Sequence, residues 1–557
     1  MQGNTPEHRH AAASIPIVKT GLSILLVLCG AGPLLPAPWL WAVNHATWLH
    51  PVAWAAFPVV ALVVIWTPAG TRFGSWLQET LAPFMFSRTW LLCGLVPLAG
   101  AVIFWTLRER THMLGDGQTL AVMLADGKLF HGFDFMTYHL LARLQPVSGG
   151  AGEEAAFRAG AVVASLSGAG WLAAAGWASL RLTDQPGSRL LVYALLVCGT
   201  PLLVFFGYME VYAPLSVALL VFVTSFILYR EGRGSLTALA VAWSVGLFFH
   251  LNALFLAPLM VLAVLRRPFG EGSDFLRRLG TVVWPPLVAL TVAGVILAAA
   301  GYDLARLREE FGQAGQGAGI LVAVGGDEGL LTWRHLKDAF NLLLLLAPVP
   351  VILILANLRP LTGRKETAGL KVDLLLVSAW LALLMFLVDL KLGAVRDWDL
   401  FAPQVCLLAL AGWYLAAGGR SAKALPNALL GPITAVLLAL AVPWLAVNLA
   451  SDKALARLEA VAADLSPYAL GLLHEQFAYH HQLAGNGEEV IRHYRLCGEV
   501  CPNHPRFHAI YGTHMLNEGH LDEAAAAYDR AVAADSTYVY GLKMGLLARV
   551  MNADYAG

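Results

Sequence analysis

The sequence predicts an all-α protein: a polytopic membrane helical bundle of about 13 spans followed by a C-terminal helical solenoid. Three observations predict it. Over 557 residues, 58% are hydrophobic and only 13% are charged, about half the charged fraction of soluble domains. Apolar runs long enough to cross a bilayer recur from residue 21 to residue 449. Beyond 451 the chain turns polar, helical in period and repetitive. The domains expected are 1–450 in the membrane, with outer loops 108–156 and 301–337, and 451–557 outside it.

The first twenty residues carry His8, Arg9, His10 and Lys19 ahead of an apolar run without a convincing cleavage site. This reads as a retained anchor. The spans are read at 21–43, 50–68, 89–107, 157–180, 189–207, 212–229, 235–249, 252–265, 280–300, 338–357, 373–390, 401–417 and 427–449. The seventh and eighth are short, as in one broken helix or a re-entrant pair. Lysine and arginine favour cytoplasmic loops. With a cytoplasmic amino terminus, Arg72, Arg88, Arg181, Arg189, Arg230, Arg233, Arg266, Arg277, Arg278, Arg364, Lys365 and Arg420 all fall inside. An odd number of spans then places the tail outside. Zero net charge gives no argument for a nucleic-acid partner, and none is expected.

That alternation gathers the polar insertions on the outer side. The largest is 108–156. In it Asp116 stands between two glycines, and Asp126, Asp134, His112, His131 and His139 follow or precede. Asp116 admits two readings. A carboxylate just beyond a span can act as general base on a hydroxyl, or hold a divalent cation at a diphosphate. Gly-Asp-Gly is also suited to a turn in which aspartate bonds its own backbone. The three histidines lack compact metal-ligand spacing, so no structural zinc site is expected.

Three further outer segments carry candidates. Glu210 lies between Tyr208 and Tyr212 at a span boundary, where an ionisable group is costly unless paired or functional; an interfacial glutamate in a tyrosine belt is the plainer account. His250 interrupts an apolar pair of spans, either as a capped, buried histidine or as a contact to phosphate or sugar. In the 391–399 segment, Arg396 has the guanidinium chemistry to grip a phosphate. Asp397 and Asp399 form an Asp-x-Asp of the kind used in metal–phosphate clamps, or simply pair with Arg396. The 301–337 loop, with Arg306, Trp333 and His335, reads as a flap over substrate or as a solvated helix.

In the tail, a shift of 34 residues pairs Gly485 with Gly519, Val490 with Ala524, Tyr494 with Tyr528 and Cys497 with Ala531. Tyr511, Gly512, Ala524, Tyr528 and Ala531 match the tetratricopeptide spacing, giving two repeats at about 471–504 and 505–538 and a final helix. Cys497 and Cys501, four apart, suit a packed pair better than a bridge.

Asp116, Glu210, His250 and Arg396, from four distant parts of one membrane face, together resemble the GT-C superfamily of membrane glycosyltransferases, in particular protein O-mannosyltransferase-like members. The resemblance spans roughly 90–450 plus the tail. It departs from the family in having two spans before the one leading into the loop, and glycine rather than an acid after Asp116. It implies a polyprenyl-phosphate or polyprenyl-diphosphate sugar as donor, held in the membrane lipid, and a protein or glycan acceptor presented by the tetratricopeptide-like tail. It further implies a bacterial inner-membrane location, Asp116 as base, and Glu210, His250, His335, Arg396, Asp397 and Asp399 on substrate. A divalent cation, Mg²⁺ or Mn²⁺, is possible under it. Two rivals stand beside it. A polysaccharide polymerase or O-antigen ligase-like enzyme would work through Arg306 and His335. A non-enzymatic assembly factor would work through the tail alone.

Overall fold

The computed structural model describes residues 6–129, 131–132, 134–266, 275–303, 305–306, 308, 321–324, 329–358, 365–419 and 427–556. The centre of the 301–337 loop, where a flap was expected, lies outside the described residues. The chain forms two compact units. The first comprises residues 1–112, 116–389 and 398–457; the second comprises 113–115, 390–397 and 458–557.

The first unit is a helical membrane domain. Among the described residues the apolar stretches are largely helical, except that residues 35–43 of the first form turns, and the helices differ in length. Among the described residues, seven helices are long and apolar enough to cross a membrane, and two bent pairs bring this to nine. Four apolar helices among the described residues are shorter: Leu91–Thr106, Pro186–Val197, Leu236–Phe249 and Leu251–Leu265. Proline explains the bends. The residue before a proline is pushed out of the helical region, and Thr67 (φ −111°, ψ 166°) precedes Pro68 at an 88° break. A 91° break falls at Ala347–Pro348.

Small residues let the spans approach. A Cβ on Gly168, in the helix Gly152–Leu182, would fall 2.5 Å from the Phe104 ring, and one on Gly100 would fall 2.3 Å from Leu172. Backbone proximity of this kind is how helices pack where lipid removes the hydrophobic drive. The buried tryptophans fill the core while their indole N–H groups donate: Trp413 to Ser188 Oγ at 2.8 Å, Trp444 to the Thr200 carbonyl at 3.0 Å and Trp171 to the Leu196 carbonyl at 3.1 Å.

The helix Tyr212–Arg230 orders this unit from end to end. Its 19 residues rise about 28 Å at 1.5 Å each. Glu210 precedes it and Arg230 closes it. Around Arg230 gather the basic groups: it pairs with buried Asp373 at 2.9 Å, as does Arg266 at 2.5 Å. Arg278 donates to Tyr229 Oη at 3.0 Å. Acids therefore collect at one end of the helix and arginines at the other.

The second unit is a run of helical hairpins, with helices Pro467–Leu483, Gly487–Val500, Pro505–Asn517, Leu521–Ala534 and Val539–Ala556. Prolines start the first and third of these, where the missing N–H costs nothing. Ala509, Tyr511, Met515, Ala524, Ala527, Tyr528 and Ala531 form a buried core between helices. Gly512 allows the close approach: a Cβ there would lie 3.2 Å from the Tyr528 ring. None of the six cysteines is in a disulfide.

Candidate active site

The site in the first unit is built from the loop after Leu107 upward. Glu109 is buried, and its carboxylate accepts the N–H of Thr111 at 2.6 Å and of His112 at 2.9 Å. His112 adopts φ 51° and stacks on Phe157 at 4.0 Å. Burial works against the Glu109 charge, but His112 and Thr111 hold its carboxyl below the usual range. This knot fixes where the chain emerges before Asp116.

Asp116 occupies the N-cap position of the helix Gly117–Ala125, with φ −99° and ψ 9°, and its side chain makes no capping hydrogen bond. The residue is exposed. Its backbone N–H instead donates to the carboxylate of Glu210. The turn in which aspartate caps its own helix is therefore not the one formed. Gly117 is required by proximity, since a Cβ there would meet the Met209 carbonyl oxygen at 2.6 Å. The segment 208–211 thus holds the Asp116 turn from two sides.

Glu210 is buried, 5% exposed. Burial pushes its carboxyl well above the ordinary glutamate range, and the nearby charges of Asp399 and Asp116 push it further. Tyr208 is fully buried against Trp398, with ring centroids 5.8 Å apart. Its phenol is raised by burial first and then by Asp399 and Glu210.

A second arrangement flanks the first. Asp134 is buried between two histidines: His131 Nδ1 lies 2.6 Å from one carboxylate oxygen and His250 Nε2 lies 3.0 Å from the other. His250 Nδ1 accepts the Asn252 N–H at 2.9 Å, which leaves its proton on Nε2, the nitrogen that faces Asp134 at 3.0 Å. Burial opposes the Asp134 charge, yet the hydrogen bonds from His131 and His250 hold it well below the usual carboxylate range. Burial likewise opposes charge on His131, and Asp134 overcomes it to raise His131. Asp116 also acts electrostatically on His131.

The structure thus gathers Asp116, Glu210, His250 and Asp399 in one unit and adds Asp134 and His131. Asp399 is 2% exposed. Arg396 and Asp397 belong to the second unit. There the Arg396 guanidinium donates to the carbonyls of Met113 at 3.2 Å and Gly115 at 3.4 Å, while Asp397 accepts the Leu392 N–H at 2.8 Å. His335 stands in the first turn of the helix Trp333–Leu346, with Nε2 2.7 Å from the Phe386 carbonyl oxygen. Arg306 lies over the Tyr302 ring at 4.4 Å. In the tail, Tyr494, Arg495, Glu499, Tyr511, Glu523 and Arg530 help line a groove of about 490 Å³.

Sequence reasoning named Asp134 and His131 without giving them a role. Their signal was the i, i+3 spacing, which brings the two side chains onto one face of a turn.

No protein-family profile matches the chain, and no curated protein matches it. Among solved structures, ArnT from Cupriavidus metallidurans is similar in two states. The form bound to undecaprenyl phosphate aligns with a TM-score of 0.32 at 13% identity, over 82% of this chain and 76% of that one. The apo form aligns at 0.33 and 14% over the same shares. Likeness at that level carries no argument for the site, whose reading rests on the chain's own residues.

Proposed function

We propose that the protein is a GT-C-type glycosyltransferase of the bacterial inner membrane, with its amino terminus cytoplasmic and its tail outside. It moves a sugar from a polyprenyl-phosphate donor to a protein or glycan acceptor. The observation that carries this reading is Asp116: an exposed carboxylate at a helix start, committed to no cap, with its backbone held by a buried glutamate. In the proposed reaction Asp116 takes the proton of an acceptor hydroxyl as that oxygen attacks the anomeric carbon. The bond from that carbon to the phosphate oxygen breaks, polyprenyl phosphate leaves, and the configuration inverts.

Glu210 and His250 act through others: Glu210 positions the Asp116 backbone, and His250 orients Asp134. Asp399 adds negative charge beside Glu210. Arg396 is proposed for the donor phosphate, for which its planar fork suits two oxygens at once; Asp397 holds the 392 backbone in the same segment. The tetratricopeptide-like tail presents the acceptor along its charged groove, since helical stacks of this kind offer concave surfaces.

A divalent cation, Mg²⁺ or Mn²⁺, is the cofactor proposed for this reaction. Hard cations use one or two carboxylates together with phosphate oxygens, and Asp399 and Asp116 both act electrostatically on Glu210. Asp116 and Asp399 would hold it, and it would neutralise charge on the leaving phosphate. Removing divalent ions with a chelator is then expected to stop transfer, with Mg²⁺ or Mn²⁺ restoring it.

The deciding experiment is transfer by protein reconstituted with polyprenyl-phosphate sugars. Asp116→Asn is expected to lose about 10²- to 10⁴-fold in rate, the usual range for a general base, while His335→Ala keeps its activity. Full activity in Asp116→Asn refutes the assignment. Loss in His335→Ala instead would favour the polymerase or ligase alternative.

A further inference from the structure

The first hairpin of the tail, Pro467–Leu483 and Gly487–Val500, holds an unusual number of imidazoles. His493 is 5% exposed. Its ring is stacked on His481 at 5.4 Å with 11° between planes, and on Phe477 at 5.1 Å. Its Nδ1 lies 3.1 Å from Nδ1 of His474. Its Nε2 lies 3.8 Å from Glu489 Oε2, one helical turn away on the same face. Nδ1 of His481 is enclosed without a hydrogen-bond partner among the described residues.

Packing alone does not account for this. Leucine or phenylalanine would fill the same space without enclosing an unsatisfied nitrogen, which is costly to bury. One ligand atom from each of His481, Glu489 and His493 lies within 4.8 Å of the other two. Tetrahedral ligands at zinc distances stand roughly 3.4 Å apart, as the bond lengths require. His481 and Glu489 are only partly buried, so side-chain rotation can close the difference.

The orientation of His493 fits as well. If its Nδ1–H donates to His474, its Nε2 lone pair faces Glu489. A ligating histidine is normally fixed in this way by a partner on its other nitrogen. Glu489 also accepts from Arg492 at 2.8 Å, through an oxygen that can be shared.

We propose that the tail binds a divalent transition-metal ion through His481, Glu489 and His493, with a fourth position open. Two imidazoles and one carboxylate match zinc in number and kind, whereas Mg²⁺ and Ca²⁺ call for oxygen donors. The ion ties the end of one helix to the start of the next. This site is independent of the transferase reading.

The test uses the full chain in detergent, purified without a histidine tag and stripped of metal. Calorimetric titration with Zn²⁺ alone is expected to show one equivalent bound, and Mg²⁺ none. His481→Ala, Glu489→Gln and His493→Ala should each weaken Zn²⁺ binding by about tenfold or more, since loss of an outer partner alone reaches that range. Co²⁺ in the same site should give a four-coordinate visible spectrum that His493→Ala abolishes. Circular dichroism checks that each variant folds. Should the variants misfold, Zn²⁺ protection of His481, the more exposed of the two imidazoles, from acylation in the wild-type chain decides the matter. No Zn²⁺ uptake, equal uptake by the His481→Ala/His493→Ala variant when folded, or no protection would each overturn the proposal.

Discussion

At the scale of residues, burial and like charge do most to shape the acidic site. Glu210 is the clearest case, since its carboxyl is raised by burial and then by Asp399 and Asp116. A carboxyl whose folded pKa lies above its unfolded one binds protons more tightly when folded. Its stabilising contribution is therefore full below the unfolded value, near 4.5, and is lost as pH rises through the folded value. Thermal melting in detergent from about pH 5 to 8 should fall with rising pH, and Glu210→Gln should flatten that slope. An unchanged slope would mean that Glu210 does not titrate in this range. Sequence made Asp116, Glu210, His250 and Asp399 visible because each is a polar interruption of an apolar run. It did not reveal their roles: that Glu210 grips a backbone N–H and that His250 serves Asp134 depend on contacts 94 and 116 residues apart along the chain.

Among elements, the turn from Gly115 into the helix Gly117–Ala125 depends on a missing side chain. Gly117→Ala would drive a methyl group onto the Met209 carbonyl, a fixed atom that cannot rotate away. Overpacking of this kind costs about 1–3 kcal/mol. Melting temperature and transfer rate are expected to fall together, whereas Gly127→Ala, with open space but φ 78°, reports backbone strain alone. Helices were legible wherever apolar runs ended at proline, histidine or arginine. Their lengths were not, because hydropathy does not distinguish one straight span from a helix folded by 88° at Thr67–Pro68. The His481, Glu489 and His493 group was also hidden, since its ligands come from two helices and share no short motif.

For the whole molecule, the pattern of acids at one end and arginines at the other predicts sidedness. Reporters that work only outside the cytoplasm, fused after residue 450, should be active, and the same reporters fused after Arg233 should be silent. The reverse pattern would invert the orientation. In the sequence, this orientation rests on basic residues recurring at alternate loops, and the repeat reading of the tail rests on Gly485 with Gly519 and Tyr494 with Tyr528 at a shift of 34. The division of Arg396 from Asp399, three residues apart yet in different units, had no such signal.

One consequence follows from the helix Tyr212–Arg230. Its length of about 28 Å nearly equals the hydrocarbon thickness of a bilayer, about 30 Å. Tilting it, or sinking it, would drag either Glu210 or the Arg230–Asp373 pair into the acyl chains. The helix therefore works as a depth gauge. In the proposed reading, Asp116, whose backbone N–H is held by Glu210 at the start of this helix, then stands near the level of the lipid phosphates.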